Sequence, residues 1–266
     1  MRTASFRPGP LALGIALALG AGCADEAAQR ALAARLGCPP ATGAVEELVW
    51  FGRAQGCQDA AGRWHGPHQT DWRNGQPRSR GAYREGLEDG AWRRFSERGE
   101  LQEEGTYVAG QRHGRWREHE RGALAAEGEY RQGQKTGPWR HLDAQGRVVA
   151  EGRLEDGERV GAWTTWTEER RRCAGEYRAG RKSGRWVCWH GPDGEPAPRW
   201  TEGEYLDGLE QGRWTAWHPN GQVERTGEYR LGQREGRWQD FAPDGTPVGT
   251  YDYQGGRLVK AERTRP

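Results

Sequence analysis

The sequence has little of the aliphatic material from which most enzyme cores are built. Hydrophobic residues make up 34% of the 266 residues and include one methionine and four phenylalanines. An ordinary globular domain reaches roughly 45–50% when glycine is counted as well. This shortage argues against an α/β enzyme whose core is packed from leucine and isoleucine.

The chain also has almost no surplus of either charge. It contains 40 lysine and arginine residues against 38 aspartate and glutamate residues. This balance argues against nucleic-acid binding, which requires a basic patch or stripe. Only Lys135, Lys182 and Lys260 are lysine. That scarcity fits either a choice of arginine for stacking on aromatic rings or the coding bias of a GC-rich genome.

The five cysteines lack the close C-x-x-C spacing of zinc and redox sites. Gly175–Ser183 is near a phosphate-binding loop, but Arg181 interrupts the pattern, and the repeats described below explain both glycines. Cys188 lies near His190, as a thiol nucleophile lies beside a base, but a disulfide with Cys173 is the favoured explanation. The histidines show no paired metal-ligand spacing, and all seven are predicted to be solvated: His65, His68, His113, His119, His141, His190 and His218. We therefore predict no catalytic residues, no metal ligands and no cofactor.

Glycine and aromatic residues are abundant instead. The chain has 42 glycines, 14 tryptophans and 8 tyrosines, whereas glycine ordinarily makes up roughly 7% of a sequence. So many aromatic residues disfavour intrinsic disorder, and the glycines do not recur at every third position as they do in collagen. The composition therefore predicts a repetitive all-β protein.

The N-terminal segment has the charge and hydropathy of an export signal. Two arginines precede the apolar run Leu11–Leu19, and small residues follow it up to Cys23. The run is far shorter than the roughly 20 residues of a membrane-spanning helix, so we predict a secretory signal peptide over residues 1–22. Cys23 resembles the lipid-acceptor cysteine of bacterial lipoproteins, although their leucine usually lies three residues before the cysteine and Leu19 lies four before it. We expect export, with lipidation of Cys23 or simple cleavage and release.

Four cysteines remain after Cys23, an even number that suits disulfides in an oxidising compartment. Cys38 and Cys57 bracket the region before the repeats, and we expect them to pair. Cys173 and Cys188 are expected to pair within one hairpin, where they would be diagonal neighbours on the same face. Diagonal spacing is wide for a disulfide, so this pair requires strong twist or a bulge.

The region before the repeats is predicted to begin with a short helix. Asp25 is placed to cap it, and Gly37 follows Leu36 as the residue that ends it. Val45–Phe51 is compatible with either helix or strand. We interpret residues 23–61 as a tether and a disulfide-stapled cap.

From about residue 62 the chain repeats one short pattern. The unit reads G-x-Y-x-x-G-x-x-x-G-x-W, and successive tryptophans are 23 to 28 residues apart. Periods of this length are typical of arrays in which each unit buries its face against its neighbours. The aromatic residues of the seven units are Tyr83 and Trp92, Tyr107 and Trp116, Tyr130 and Trp139, Trp163 (with Leu154 in place of tyrosine), Tyr177 and Trp186, Tyr205 and Trp214, and Tyr229 and Trp238.

The unit at residues 222–241 illustrates the hairpin that we expect. Alternate residues of a strand share one face, so Gly227 and Tyr229 lie side by side. Gly232–Glu235 suits a four-residue turn, which would set Tyr229 directly opposite Trp238. The glycine two residues before each aromatic is expected to leave room for a ring to lie over it.

These units resemble MORN (membrane occupation and recognition nexus) repeats. The resemblance is carried by Gly128–Trp139, Gly175–Trp186 and Gly227–Trp238, and the nearest form is the Trp-rich bacterial variant found in exported proteins and in some proteins labelled antitoxins. Departures include Leu154 in place of tyrosine and His68 in place of the first tryptophan. The resemblance implies an elongated antiparallel β-meander of about seven tandem hairpins and a binding or scaffolding role. It implies no catalytic residues.

We therefore predict a non-enzymatic cell-envelope scaffold. Its aromatic and arginine-rich face would bind a protein, a glycan or lipid headgroups, and the lipidated N-terminus would hold it to a membrane. The alternative function is that of an antitoxin-like protein that neutralises a partner protein, which rests on fold-level analogy. The aromatic face could instead be only the packing surface of the array. The predicted organisation is a signal peptide (1–22), a tether and cap (23–61), the repeat array (62–259) and a C-terminal tail (260–266).

Overall fold

The computed structural model describes residues 23–191 and 197–264. The predicted signal peptide over residues 1–22 lies outside them. Cys23 is the first described residue, and its lipidation stays a prediction. No described helix is long and apolar enough to cross a membrane.

One helix is followed by nineteen strands that form a single sheet. Each strand pairs antiparallel with the strands before and after it in the chain, so the sheet is a meander, and the predicted all-β class is confirmed. The elements are α1 (Cys23–Leu36), β1 (Gly43–Val49), β2 (Gly52–Gln58), β3 (Trp64–Trp72), β4 (Pro77–Arg84), β5 (Leu87–Phe95), β6 (Leu101–Val108), β7 (Gln111–Glu120), β8 (Ala123–Arg131), β9 (Gln134–Leu142), β10 (Val148–Glu155), β11 (Glu158–Trp166), β12 (Arg172–Arg178), β13 (Arg181–Trp189), β14 (Arg199–Leu206), β15 (Leu209–Trp217), β16 (Val223–Arg230), β17 (Gln233–Phe241), β18 (Pro247–Gln254) and β19 (Arg257–Arg263).

Helix α1 ends where the sequence predicts. Gly37 has a φ of 71°, and the N–H of Cys38 bonds to the carbonyl oxygen of Ala33 at 3.0 Å, as at a glycine-terminated helix end. The helix begins at Cys23, so Asp25 lies inside it and not at the predicted N-cap.

The cap joins the helix to the first strands of the same sheet. The segment Val45–Phe51, compatible with helix or strand, lies mostly in strand β1 and then in the turn to β2. The expected disulfide between Cys38 and Cys57 is present. It links Cys38, which follows helix α1 closely, to strand β2. At the other end, β19 continues past residue 259, where the array was predicted to end.

The turns within the units are shorter than predicted. Leu231 and Gly232 form a two-residue turn with φ values of 50° and 78°, so Tyr229 is opposite Arg234 and not opposite Trp238. Positive φ at both turn residues belongs to the type I′ turn, whose twist matches that of the flanking strands. The same positive-φ pairs occur at Glu85–Gly86, Ala109–Gly110, Gln132–Gly133, Asp156–Gly157, Ala179–Gly180 and Asp207–Gly208.

A bulge in the second strand of the unit brings the tryptophan back beside the tyrosine. Glu228 pairs with Glu235, but Thr226 pairs with Gln239, so three residues of β17 lie opposite one residue of β16. Gly236 within this bulge has a φ of 64°, and a Cβ atom there would meet nothing within 4 Å. The prediction that this glycine makes room for a ring is therefore wrong, because its backbone conformation is what requires glycine.

The other glycine of the unit does lie under a ring. A Cβ atom on Gly227 would be 2.2 Å from Cδ2 of Trp238, which confirms ring-over-glycine packing at the position two residues before the tyrosine. Indole rings cover the corresponding glycines in the same way: Gly81, Gly105, Gly128, Gly152, Gly175 and Gly203.

These rings form the core on one face of a single-layer sheet. We call the face that carries the tyrosines and tryptophans of the units the front face, and the opposite one the back face. Trp116, Trp139 and Trp163 are each 1% exposed. Trp139 packs edge-on against Tyr130 with ring centroids 5.6 Å apart, an arrangement that aromatic pairs favour. Each unit is thus buried mainly against its neighbours in the sheet.

The second disulfide also lies on the front face. Cys173 and Cys188 are bonded, as expected, but they are directly opposite each other and not diagonal neighbours. The two-residue turn and the bulge change the register from the predicted one, so no additional distortion is needed to bring the cysteines together.

Candidate binding face

The tryptophans of the units serve the fold. The Nε1–H of Trp139 donates to the carbonyl oxygen of Glu129 at 3.1 Å, so the indole is both buried and hydrogen-bonded. The predicted aromatic residues form one series of ring contacts along the front face, which begins with His68 before Tyr83. Where Leu154 replaces the tyrosine, the ring of His141 connects Trp139 with Trp163. The interpretation that the aromatic face is the packing surface of the array therefore holds for the indole rings. A partner would meet the layer above them.

That layer is a row of cations, one above each of five tryptophans. In each case the cation lies four residues before the tryptophan and directly opposite the tyrosine position of its unit, as Arg112 is opposite Tyr107. Cations attract the negative faces of such rings. The distances to the indole centroids are 4.6 Å for Arg112, 4.1 Å for Lys135, 4.5 Å for Arg159, 4.3 Å for Lys182 and 4.8 Å for Arg234. Sequence reasoning missed this row, although the spacing to each tryptophan is visible in the sequence.

Toward the N-terminal half, carboxylates neutralise the row. Glu103 and Glu118 are directly opposite each other, a repulsive arrangement unless cations compensate it. Arg112 bonds to Glu103 at 2.6 Å, and Lys135 bonds to Glu118 at 2.8 Å. Tyr130 donates its hydroxyl proton to Glu118 at 2.9 Å. Burial and the adjacent Glu118 raise the pKa of Tyr130 to about 12.

In the middle of the sheet the carboxylates are missing. Ala150 and Thr165 take the places of Glu103 and Glu118 and are directly opposite each other. Within the described part of the chain, neither Arg159 nor Lys182 has a salt-bridge partner. Burial lowers the pKa of Lys182, the charge of Glu210 partly opposes this shift, and the charge of Arg159 adds to it. The centre of the front face is therefore positively charged.

His68 stands at the N-terminal end of the ring series, where the repeat has tryptophan elsewhere. It is buried and packs against Trp64 and Tyr83 with centroids 4.6 Å and 5.0 Å away. Because imidazole is smaller than indole, a hollow of about 400 Å³ opens beside it, lined also by Trp72 and Arg94. Burial lowers the pKa of His68 to about 4.

The prediction that all the histidines are solvated is wrong. His68 is buried, and two others are held by the main chain. His190 Nε2 lies 2.6 Å from the carbonyl oxygen of Trp217, and His218 Nε2 lies 2.9 Å from that of Phe241. Sequence reasoning missed these bonds because they join residues of neighbouring units.

We expect acid to destabilise the N-terminal units through His68. The imidazole is neutral in the folded protein and gains a proton on unfolding, so stability falls as the pH drops from 6.5 to about 4. After allowance for solvent screening, the loss is about 1–2 kcal/mol. Urea unfolding of the wild type and of His68→Phe, at pH 7 and at pH 4.5, measures it. The wild type should lose more stability than the variant, and equal losses would contradict this assignment.

The back face carries charges that are already paired. Arg93 bonds to Glu104 at 3.2 Å, and Arg117 bonds to the same carboxylate at 3.3 Å. Glu127 forms a salt bridge with Arg115 at 3.4 Å and a second one with Arg140. The hydrogen bond from Arg140 lowers the pKa of Glu127. The arginines and glutamates in this part of the back face are therefore paired with one another.

Near the turns that join successive units, the back face also bears a strip of alternating tryptophan and arginine. Trp166 is opposite Arg172, whose guanidinium lies 4.3 Å from the Trp189 ring centroid. Trp189 is opposite Arg199, which lies 5.9 Å from the ring centroid of Trp217. Each tryptophan lies three residues after the tryptophan of its unit, but its pairing with an arginine follows only from the register of the strands.

The sequence features that suggested chemistry are accounted for by the fold. The sulfur of Cys188 is bonded to Cys173, so it is not a free thiol beside His190. The stretch Gly175–Ser183 runs from β12 through a hairpin turn into β13, not from a strand into a helix as a phosphate-binding loop does. Among residues 23–191 and 197–264, no group of three or more histidine, cysteine, aspartate or glutamate residues could hold a metal ion.

The family comparison agrees with this architecture at two places. The model of the MORN repeat variant matches residues 88–109 and 210–230, which cover β5 with β6 and β15 with β16. The expected resemblance to MORN repeats is thereby confirmed. No curated protein matches the chain. MORN repeats are in general scaffolds that mediate binding, without catalytic residues.

Proposed function

We propose that this protein is an exported, non-enzymatic repeat scaffold that binds its partner through the front face. The observation that carries the proposal is the row of cations above the buried tryptophans, of which Arg159 and Lys182 at the centre of the sheet have no salt-bridge partner among the described residues. Partial removal of a cation from water is costly, and an anion that approaches the cation would add to the compensation that the ring beneath it gives. Export and attachment to the cell envelope are part of the same proposal.

The contrast between the two faces supports the front face as the binding surface. On the back face, arginines such as Arg93 and Arg117 lie within salt-bridge distance of a carboxylate. On the front face, Arg159 and Lys182 are only partly exposed, and neither has a salt-bridge partner among the described residues. A partner that supplied negative charge would gain more on the front face, because electrostatic complementarity steers association and fixes register.

Comparative capture from envelope extracts tests the proposal. We expect the immobilised wild-type chain to retain a partner that the double variant Arg159→Ala, Lys182→Ala retains at least tenfold less. The matched control is Arg131→Ala, which removes an exposed cation from the back face. Circular dichroism would verify that both variants are folded. Equal capture by the front-face variant, or loss of capture in the control alone, would contradict the assignment.

A further inference from the structure

We propose that Arg159, Tyr177 and Lys182 form a cradle for a carboxylate side chain of a partner protein. This inference deepens the proposed function and rests on it. It comes from a second copy of the same arrangement, made of Arg112, Tyr130 and Lys135, in which the chain itself supplies the carboxylate.

The occupied cradle shows how a carboxylate is held. Arg112 donates to the hydroxyl oxygen of Tyr130 at 3.0 Å, and that hydroxyl donates its own proton to Glu118 at 2.9 Å. Lys135 binds the same carboxylate at 2.8 Å. The carboxylate of Glu118 thus receives a hydroxyl proton and a charged ammonium group, while Arg112 orients the hydroxyl. Charge-assisted bonds of this kind are among the stronger ones in proteins.

The second cradle has the same bond between its arginine and its tyrosine. Arg159 donates to the hydroxyl oxygen of Tyr177 at 3.1 Å, close to the corresponding 3.0 Å in the first. Its guanidinium lies 4.5 Å from the centroid of Trp163 and 5.3 Å from that of Tyr177. Lys182 is directly opposite Tyr177, as Lys135 is opposite Tyr130. The lysine is placed differently, because Lys182 Nζ lies 4.8 Å from the ring centroid of Tyr205 in the next unit, whereas Lys135 Nζ bonds to Glu118.

Both carboxylates of the first cradle are replaced in the second, Glu103 by Ala150 and Glu118 by Thr165. Glu118 lies two residues after its tryptophan, and the residue at that position in the second copy is Thr165. The Tyr177 hydroxyl has no acceptor for its proton among the described residues. The acid whose charge acts on Lys182 is Glu210, and Glu210 already accepts a bond from Tyr205 at 3.4 Å.

The occupied cradle also indicates the kind of ligand. Its occupant is a glutamate side chain of an extended polypeptide, and the second cradle offers the same donors on the same open face. Because Arg159 and Lys182 are partly exposed, an acidic side chain from another polypeptide can reach the site from solvent. An acidic segment of a partner protein therefore fits better than a neutral ligand.

The variant Thr165→Glu provides the sharpest test, because it would supply the counterpart of the Glu118 carboxylate from within. The probe is a hexaglutamate peptide, with hexaglutamine as the neutral control, and binding is followed by titration calorimetry with the full chain. We expect hexaglutamate to bind the wild type, Thr165→Glu to weaken that binding at least tenfold, and the same variant to raise the melting temperature. Glu118→Gln should do the reverse and add a second binding site.

The controls separate failure of this inference from failure of the proposed function. Lys182→Gln should weaken hexaglutamate binding at least tenfold, whereas Arg131→Gln on the back face should leave it unchanged. Absence of hexaglutamate binding would overturn the cradle assignment, while front-face dependence of partner capture would still support the proposed function. An oligogalacturonate that binds with the same dependence on Lys182, while hexaglutamate does not, would overturn the protein partner and identify the occupant as an acidic glycan.

Discussion

Replacing Trp139 by alanine is expected to cost about 3–5 kcal/mol of the free energy of unfolding. The indole is 1% exposed, covers Gly128 and packs on Tyr130. The ammonium group of Lys135 lies 4.1 Å from the centroid of the indole. The substitution therefore removes both the ring packing and the cation–π contact of Lys135. Urea unfolding followed by tyrosine and tryptophan fluorescence measures the change.

The matched control for this prediction is Trp217, a partly buried tryptophan of the back-face strip. Trp217→Ala removes the same side chain from a position that the ring series does not use, and we expect it to cost about 1–2 kcal/mol. Equal losses for the two variants would show that the buried ring series does not dominate stability.

Replacing Gly128 by valine should destabilise the protein by about 3 kcal/mol, although valine has the better strand propensity. The Cβ atom would lie 2.3 Å from Cδ2 of Trp139, so the ring would have to leave its place. The free energy of unfolding by urea, measured as for Trp139→Ala, checks the prediction.

Gly43→Val is the control for that substitution. Gly43 also lies in a strand, but a Cβ atom there would meet nothing within 4 Å. We expect this variant to change the free energy of unfolding by no more than about 0.5 kcal/mol. A stable Gly128→Val protein would mean that the indole does not occupy the space above this glycine.

The fold was predictable because one spacing recurs through the chain. Tyrosine and tryptophan nine residues apart, with fixed glycines between, indicate the hairpin whatever the intervening residues are. The register was not predictable from that spacing. Leu231 adopts a positive φ of 50°, which is uncommon for a non-glycine residue, so the sequence favours a longer turn that starts at Gly232. The bulge at Gly236 then restores the ring contact that the predicted register also demanded.

The candidate site was only partly predictable. The composition predicts a face rich in arginine and aromatic residues. It does not predict that the indoles are buried beneath the cations, because that burial depends on the register of the strands. Thr165 can be recognised as the counterpart of Glu118 only when Tyr177 is known to lie opposite Lys182. Likewise, Trp166, Trp189 and Trp217 each lie three residues after the tryptophan of their unit, but that spacing does not show which arginines lie opposite them.

Hydrogen exchange on the Trp139→Ala variant tests most directly whether the molecule is an array of coupled units. Because each unit packs mainly on its neighbours, protection should fall in β7 to β11 around the substitution and persist in β14 to β19. Such local loss would support a scaffold whose binding positions act as separate modules. A uniform loss of protection from residue 62 to residue 259 would show a single cooperative core and contradict the account.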